Sequence, residues 1–181
     1  KKINPGIIYA NITGFGINGP LAERPCYDIV AQAMGGIMDV TGPADGEPTK
    51  IGPAIADSYT GAMLCIGILI ALYRREKTGE GCHIDVAMVD TMISVLDHFL
   101  IDYTINGEIN SRSGNNDQAI APFDSFRTKN GMCVIACGTD AMFEKLCGLI
   151  GRPDLLEDER FSTNVNRCNN YGALKPELEA W

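Results

Sequence analysis

A single carboxylate, Asp57, has the sequence setting that most favours chemistry. It follows the extended stretch IGPAIA (51–56) and precedes a long apolar run that predicts a helix from about Ser58 to Arg75. Asp57 is therefore expected at or just before a helix N-terminus, where unpaired N–H groups and the helix dipole favour an ionised carboxylate. Two interpretations stay open: Asp57 is the N-cap of this helix, or it is a catalytic carboxylate held charged at the helix end.

The predicted elements around Asp57 are those of an α/β fold. Residues 7–13 (IIYANIT) and 83–88 (HIDVAM) predict two strands, and the first is apolar on both faces, as in a central parallel strand. Helical periodicity predicts further helices, one starting at about Asp28 with that residue as its N-cap, and one over residues 90–105. This order indicates an open, largely parallel sheet with flanking helices.

The second part of the chain has a different pattern. Residues 120–128 and 132–138 predict two short strands joined by Lys129-Asn130-Gly131, because Asn-Gly between β-like runs is a strong hairpin signal. Thr139 is then expected to cap a helix. We therefore predict an α/β part, a linker and a smaller α+β part. Their ranges are 1–110, 111–119 and 120–181.

Charge and cysteine usage narrow the function classes. The net charge of −8 argues against nucleic acid or an anionic membrane as the main partner. Seven cysteines without a CxxC pair, together with only two histidines, argue against a structural zinc site and a disulfide framework. The longest uncharged apolar run, residues 62–73, is shorter than the ~20 residues that span a bilayer. We expect a cytoplasmic protein with neither a resident metal nor a membrane partner.

A glycine pattern suggests a nucleotide site but lacks the required context. Gly14, Gly16 and Gly19 spell G-x-G-x-x-G after the first predicted strand. That motif marks a dinucleotide site only when the third glycine opens a helix, and here Pro20 follows at once. A nicotinamide-dependent oxidoreductase is therefore a disfavoured alternative.

Four ordered motifs resemble the class III CoA-transferases. They are NPGIIYANITGFGINGP (4–20), RPCYDIVAQAMGGIMDVTG (24–42), IADSYTGAM (55–63) and REKTGEGCHIDVAMVD (75–90). This family includes formyl-CoA transferase, carnitine CoA-transferase, bile-acid-inducible CoA-transferases and, as a divergent branch, α-methylacyl-CoA racemase. The resemblance runs over nearly the whole chain. It implies a central fragment of a longer protein, with residues 1–110 as part of the large α/β CoA-binding domain and residues 120–181 as the N-terminal part of the small α+β domain. It also implies that two copies of the longer protein interlock as a homodimer, and the isolated fragment is expected to be inactive.

The resemblance implies a role for Asp57. In the family, the carboxylate of the A-D-x-x-x-G element is the nucleophile that attacks an acyl-CoA thioester, and CoA passes to an acceptor acid through a covalent aspartyl intermediate. CoA and acyl-CoA are then substrates, and no tightly bound cofactor is expected. Backbone N–H groups of residues 59–61 are expected to receive the oxyanion.

The resemblance also implies a CoA-binding segment. Its residues here are Arg24, Pro25, Cys26, Tyr27 and Asp28. Two other interpretations stay open, a helix-flanking core aromatic for Tyr27 and an N-cap for Asp28. The racemase branch carries a histidine base directly before this aspartate, and a phenol in that place is a poor base for an α-proton. Tyr27 therefore counts against the alternative of an α-methylacyl-CoA racemase.

One departure from the family concerns the acceptor acid. Formyl-CoA transferases carry a glycine-rich loop after a Ser-Gly-Asn motif, whereas Gly114-Asn115 is followed here by NDQAIAP (116–122). This difference argues against formate or oxalate and predicts a larger or different acceptor acid.

Overall fold

A computed structural model describes residues 3–181, which divide into two compact units. One unit extends to Arg112, and the other comprises Ser113–Trp181. Their assignment to the large and the small domain of the family stays a prediction.

The first unit is an α/β structure. Its elements are β1 (Tyr9–Thr13), α1 (Asp28–Met34), α2 (Ile55–Thr78), β2 (His83–Ala87), α3 (Met88–Val95), α4 (His98–Ile101) and a π-helical turn (Asp102–Asn106). β1 and β2 pair in parallel, from Tyr9 opposite His83 to Thr13 opposite Ala87. The predicted parallel pair and α/β class are confirmed.

The two-stranded sheet has one polar face, so the prediction that the first strand is apolar on both faces is wrong. On that face, Asn11 Nδ2 donates a hydrogen bond of 2.6 Å to Asp85 Oδ1. The other Asp85 oxygen accepts the Ile17 N–H at 2.8 Å, which ties the glycine-containing loop to the sheet. On the opposite face, a Cβ added at Gly67 of α2 would lie 3.2 Å from Ile84 Cγ2, so the helix approaches β2 closely.

Two helices differ from their predicted bounds. α2 begins at Ile55, three residues before the predicted start, and ends before Gly79, whose φ of 73° closes it with a left-handed cap. The helix predicted over residues 90–105 begins earlier and is interrupted at Asp97, which has a φ of 48°. Within the described residues, α2 is also the one helix long and apolar enough to cross a membrane, a test that core helices of soluble proteins pass as well.

Helices α1, α2 and α3 meet in a small core formed by Ala31, Ala56, Met88 and Met92. Gly35, which follows α1, lies so close to α3 that an added Cβ would be 2.4 Å from Met92 Cβ. This tight packing fixes α1 against the start of α2, because Ala56 is the second residue of that helix.

The second unit is a hairpin with four helices. Its elements are β3 (Phe123–Thr128), β4 (Gly131–Ala136), α5 (Asp140–Ile150), α6 (Asp154–Glu157), α7 (Asn164–Asn169) and α8 (Tyr171–Glu179). The strands are antiparallel, with Thr128 opposite Gly131, so the predicted hairpin is confirmed with Lys129 and Asn130 as its loop. The predicted cap is confirmed too, because the Thr139 hydroxyl accepts the Met142 N–H at 3.3 Å.

The core of the second unit contains a charged side chain, Arg167. Its guanidinium donates hydrogen bonds to the carbonyl oxygens of Ala121 (2.7 Å) and Phe161 (3.0 Å) and to the Asp140 carboxylate (2.6 Å). It also lies over the ring of Phe143, 4.4 Å from the centroid. Arg167 therefore joins segments that are distant in sequence while its own burial is complete.

Candidate active site

Asp57 lies in the first turn of α2 but does not cap it. Ala54 is the N-cap, with φ −74° and ψ 73°, and its side chain forms no cap hydrogen bond. Asp57 is the third helical residue, its side chain is exposed, and within residues 3–181 its carboxylate forms no hydrogen bond. The N-cap interpretation of Asp57 is therefore wrong, and the carboxylate is available for chemistry at the helix end.

The cap of α2 comes from Asp28 on another helix. Asp28 Oδ1 accepts the Ala56 N–H at 2.8 Å, and Asp28 Oδ2 accepts a hydrogen bond of 2.7 Å from Gln32 Nε2. Asp28 is the first residue of α1, and Tyr27 occupies the N-cap position of that helix. The predicted N-cap role of Asp28 for its own helix is wrong, because its carboxylate satisfies a first-turn N–H group of α2 instead.

Gln32 extends this contact to the segment that precedes α2. Its side chain is fully buried, and its Oε1 accepts the Ile51 N–H at 2.8 Å. The chain is therefore held at residue 51 and again at residue 56, on either side of the turn that leads to Asp57. Sequence reasoning missed Gln32. The available signal was the i, i+4 spacing of a carboxylate and an amide on one helix.

Cys26, in the predicted CoA segment, lies close enough to both carboxylates for their charges to act on its thiol. Burial raises the pKa of its thiol, and the negative charges of Asp57 and Asp28 raise it further. The loop after β1 presses against it, since a Cβ added at Gly14 would lie 2.2 Å from Cys26 Cβ. The site thus brings Asp57, Asp28 and Cys26 together and keeps the cysteine a neutral thiol.

The remaining residues of the predicted CoA segment are exposed. Arg24 and Pro25 lie at the surface, and the Arg24 side chain forms no hydrogen bond or ion pair within the described part of the chain. Tyr27 is 81% exposed, so the interpretation of a core aromatic is wrong. Contacts of these residues with CoA stay predictions.

The start of α2 at Ile55 also determines which backbone N–H groups are free to bind an oxyanion. Residues 59–61 are the fifth to seventh residues of the helix, so helical geometry directs their N–H groups at carbonyl oxygens four residues earlier. The expectation that they receive an oxyanion is therefore wrong. The Ile55 and Ser58 N–H groups donate to Pro53 O (2.8 Å) and Ala54 O (3.1 Å). Within the described residues, this leaves the N–H of Asp57 itself as the unassigned first-turn donor.

The glycine pattern lacks the geometry of a dinucleotide site. The Gly16 N–H donates to Thr13 Oγ1 at 2.8 Å, and no helix follows Gly19 before Asp28. Within residues 3–181, no group of histidine, cysteine or acidic side chains has the arrangement of a metal site, and all seven cysteines are free.

Comparison with known proteins decides the family. The model of CoA-transferase family III matches residues 1–181. The chain belongs to this family. It is 46% identical, over 98% of its length, to an acetyl-CoA:oxalate CoA-transferase of Acetobacter aceti, and 40% identical, over 100%, to a succinyl-CoA:mesaconate CoA-transferase of Haloarcula hispanica.

Solved structures of the family have the same fold. A CAIB/BAIF family protein from Brucella suis is 47% identical and superposes with a TM-score of 0.85 over 99% of this chain and 47% of its own. The chain likewise spans 46% of the length of each of the two CoA-transferases above.

Proposed function

We propose that this chain carries the nucleophile of a CoA-transferase, and that this nucleophile is Asp57. The observation that carries the proposal is the exposed carboxylate of Asp57, which lies in the first turn of α2 with neither a cap role nor an ion pair in the described residues. A carboxylate is a weak nucleophile, so it must be ionised and free of hydrogen-bond donors that would stabilise its charge. Membership of CoA-transferase family III supplies the reaction class.

The proposed reaction balances without a cofactor. An Asp57 oxygen attacks the thioester carbonyl carbon, the C–S bond breaks, and CoA leaves as a thiolate from a mixed anhydride. The thiolate attacks the aspartyl carbonyl and releases the donor acid, which leaves an aspartyl-CoA thioester. The acceptor carboxylate attacks that thioester and expels the thiolate, giving a second anhydride. The returning thiolate then takes the new acyl group and restores the Asp57 carboxylate.

We propose a dicarboxylic acid as acceptor. Oxalate and mesaconate, which appear in the names of the relatives, both carry two carboxylates. The missing glycine run after Asn115 predicts an acceptor that is larger than oxalate or different from it. The 46% identity to an oxalate enzyme makes oxalate one of the acids to assay. We further propose that the exposed segment from Arg24 to Tyr27 contacts CoA. A racemase activity is the second candidate, disfavoured because position 27 is a tyrosine.

We also propose the cellular and quaternary context of the protein. A cytoplasmic homodimer fits a metabolic enzyme with a net charge of −8 and seven free cysteines. The 181-residue chain alone is expected to lack activity, because it spans less than half the length of its relatives.

Covalent trapping tests the nucleophile. The full-length gene product that contains these residues is incubated with acyl-CoA, and hydroxylamine or borohydride is added. Mass spectrometry is expected to find a hydroxamate or a reduced side chain at Asp57. Asp90 provides a matched control, because it is also exposed and is the third residue of its helix, α3. Asp90→Asn is expected to keep the adduct, whereas Asp57→Asn abolishes it.

The other outcomes assign other functions. Exchange of the α-proton with solvent, without an adduct, means that the racemase candidate is correct. If a broad set of acyl-CoAs gives neither signal, the nucleophile assignment of Asp57 is wrong.

A further inference from the structure

The start of α2 is positioned by side chains of α1. Two amides around the Asp57 turn, those of Ile51 and Ala56, donate to side chains four residues apart on α1. Of the residues between them, 52–54 are exposed, whereas Ile55 packs against the core that α1, α2 and α3 share. The placement of Asp57 therefore depends on these two hydrogen bonds together with the packing of Ile55 and Ala56 against that core.

The donors and acceptors in this network have one consistent arrangement. The Asp28 carboxylate has only acceptors, so Gln32 must present its NH₂ group to it and its carbonyl oxygen to the Ile51 N–H. An asparagine at position 28 presents an NH₂ group either to the Ala56 N–H or to Gln32. In the second case Gln32 must rotate its amide, and its NH₂ group then opposes the Ile51 N–H. Two acceptor oxygens at position 28 are therefore needed to keep both the contact with Ala56 and the contact that Gln32 makes at the other end of the turn.

We propose that Asp28 and Gln32 act together as positioning residues, which hold the first turn of α2 so that the Asp57 carboxylate remains free to attack the thioester. This inference rests on the proposed function of Asp57. It gives Asp28 a task different from the CoA contact that the family resemblance implies. Asp28 need not touch substrate, since both of its oxygens are already occupied by Ala56 and Gln32.

Kinetics of Asp28→Asn, Gln32→Met and the double variant test the proposal in the full-length gene product. Each single change is expected to lower kcat, and the rate of trapping at Asp57, by about 10- to 100-fold, because small misplacement of a reacting group has effects of this size. The KM for acyl-CoA is expected to change by less than about threefold. Since the two residues act as one unit, the double variant is expected to lose no more than about threefold beyond the worse single variant.

A matched variant separates positioning from general loss of stability. Thr91 of α3 is buried in the same unit, and its hydroxyl donates at 2.8 Å to the carbonyl oxygen of Ala87, the residue that precedes this helix. Thr91→Val also removes a buried hydrogen bond in this unit, and the kcat of this variant is expected to stay within about twofold of the kcat of the unaltered protein. If Thr91→Val lowers kcat as much as Gln32→Met, the positioning role is wrong.

Amide exchange tests the hydrogen bonds without turnover. In the 181-residue chain, Gln32→Met is expected to speed hydrogen exchange of the Ile51 amide at least tenfold. Asp28→Asn is expected to speed exchange of both the Ile51 and the Ala56 amides by the same factor. Unchanged exchange would overturn the proposal, as would a raised KM for acyl-CoA with retained kcat in Asp28→Asn. Failure of the proposed function has a different signature, because the unaltered protein would then give no adduct at Asp57.

Discussion

Two glycines of α2 allow a direct test of how closely the helix packs. Gly61 and Gly67 both lie in its interior, where alanine is favoured over glycine by about 0.8–1.0 kcal/mol. A Cβ added at Gly61 meets no atom within 4 Å, whereas one at Gly67 lies 3.2 Å from Ile84 Cγ2. Carbon atoms prefer separations of about 3.5–4.0 Å, so the methyl of Gly67→Ala must displace Ile84 by a few tenths of an ångström.

The expected effects on stability therefore differ. Gly61→Ala is expected to raise the free energy of unfolding by about 1 kcal/mol, which is about 0.5 M urea at a slope of roughly 2 kcal/mol/M. In Gly67→Ala, crowding against β2 offsets this gain or exceeds it by about 1 kcal/mol. Urea unfolding of the 181-residue chain, followed by far-ultraviolet circular dichroism, measures both. An equal or larger gain for Gly67→Ala would show that α2 does not pack on β2 as described.

Gly61→Ala also has a functional consequence. Gly61 is four residues after Asp57, so the two lie on the same helix face, one turn apart. In the full-length gene product, the added methyl is expected to lower kcat/KM for acyl-CoA by about tenfold while the protein becomes more stable, because it takes space beside the nucleophile. Steady-state kinetics and thermal unfolding of the same preparation check this, and an unchanged kcat/KM would mean that substrate does not approach along this face.

The second unit gives two predictions about its charged side chains. Arg167→Met is expected to lower the free energy of unfolding, measured by urea titration, by about 3–5 kcal/mol, because buried carbonyl oxygens lose their donors. Arg160 lies in an exposed ion pair, so the free energy of unfolding of Arg160→Met is expected to stay near that of the unaltered protein. Burial alone would raise the pKa of Asp124, but hydrogen bonds from Lys175 and Tyr171 outweigh it and lower that pKa. The resulting stabilisation is present above the unfolded-state pKa of about 3.9 and is lost as the pH falls through the lowered folded-state pKa. The loss of stability at acid pH is therefore expected to be smaller in Asp124→Asn than in the unaltered protein.

Local signals in the sequence predicted most of the fold. The hairpin at Lys129-Asn130 and the cap at Thr139 depend on residues within four positions of each other, so pattern and turn chemistry suffice for them. The two parallel strands followed from their apolar runs, although the pairing of Asn11 with Asp85 across them did not. That pairing depends on the register between strands, which no single segment contains.

The detail of the site depends on a contact between distant residues. The extended stretch before Asp57 and the apolar run after it predict a helix start at about Ser58, yet the helix begins at Ile55, behind an alanine that has no capping oxygen. The helix can begin there because the acceptor for the Ala56 N–H comes from Asp28, 28 residues before Ala56 in the sequence. Local propensity places an aspartate at the cap by default, and a carboxylate supplied from another helix overrides this preference.

This arrangement gives two neighbouring carboxylates different tasks. A carboxylate that caps a helix has its lone pairs directed at backbone N–H groups, and these bonds stabilise its charge and oppose attack on a thioester. At the start of α2, Asp28 accepts the cap and amide hydrogen bonds with both oxygens, and Asp57 accepts none within the described residues. The Ala56 N–H at this helix end is thus satisfied without the nucleophile. Loss of the Asp28 cap is therefore expected to allow Asp57 to take the cap position, which would remove the free carboxylate even though Asp57 itself is unchanged.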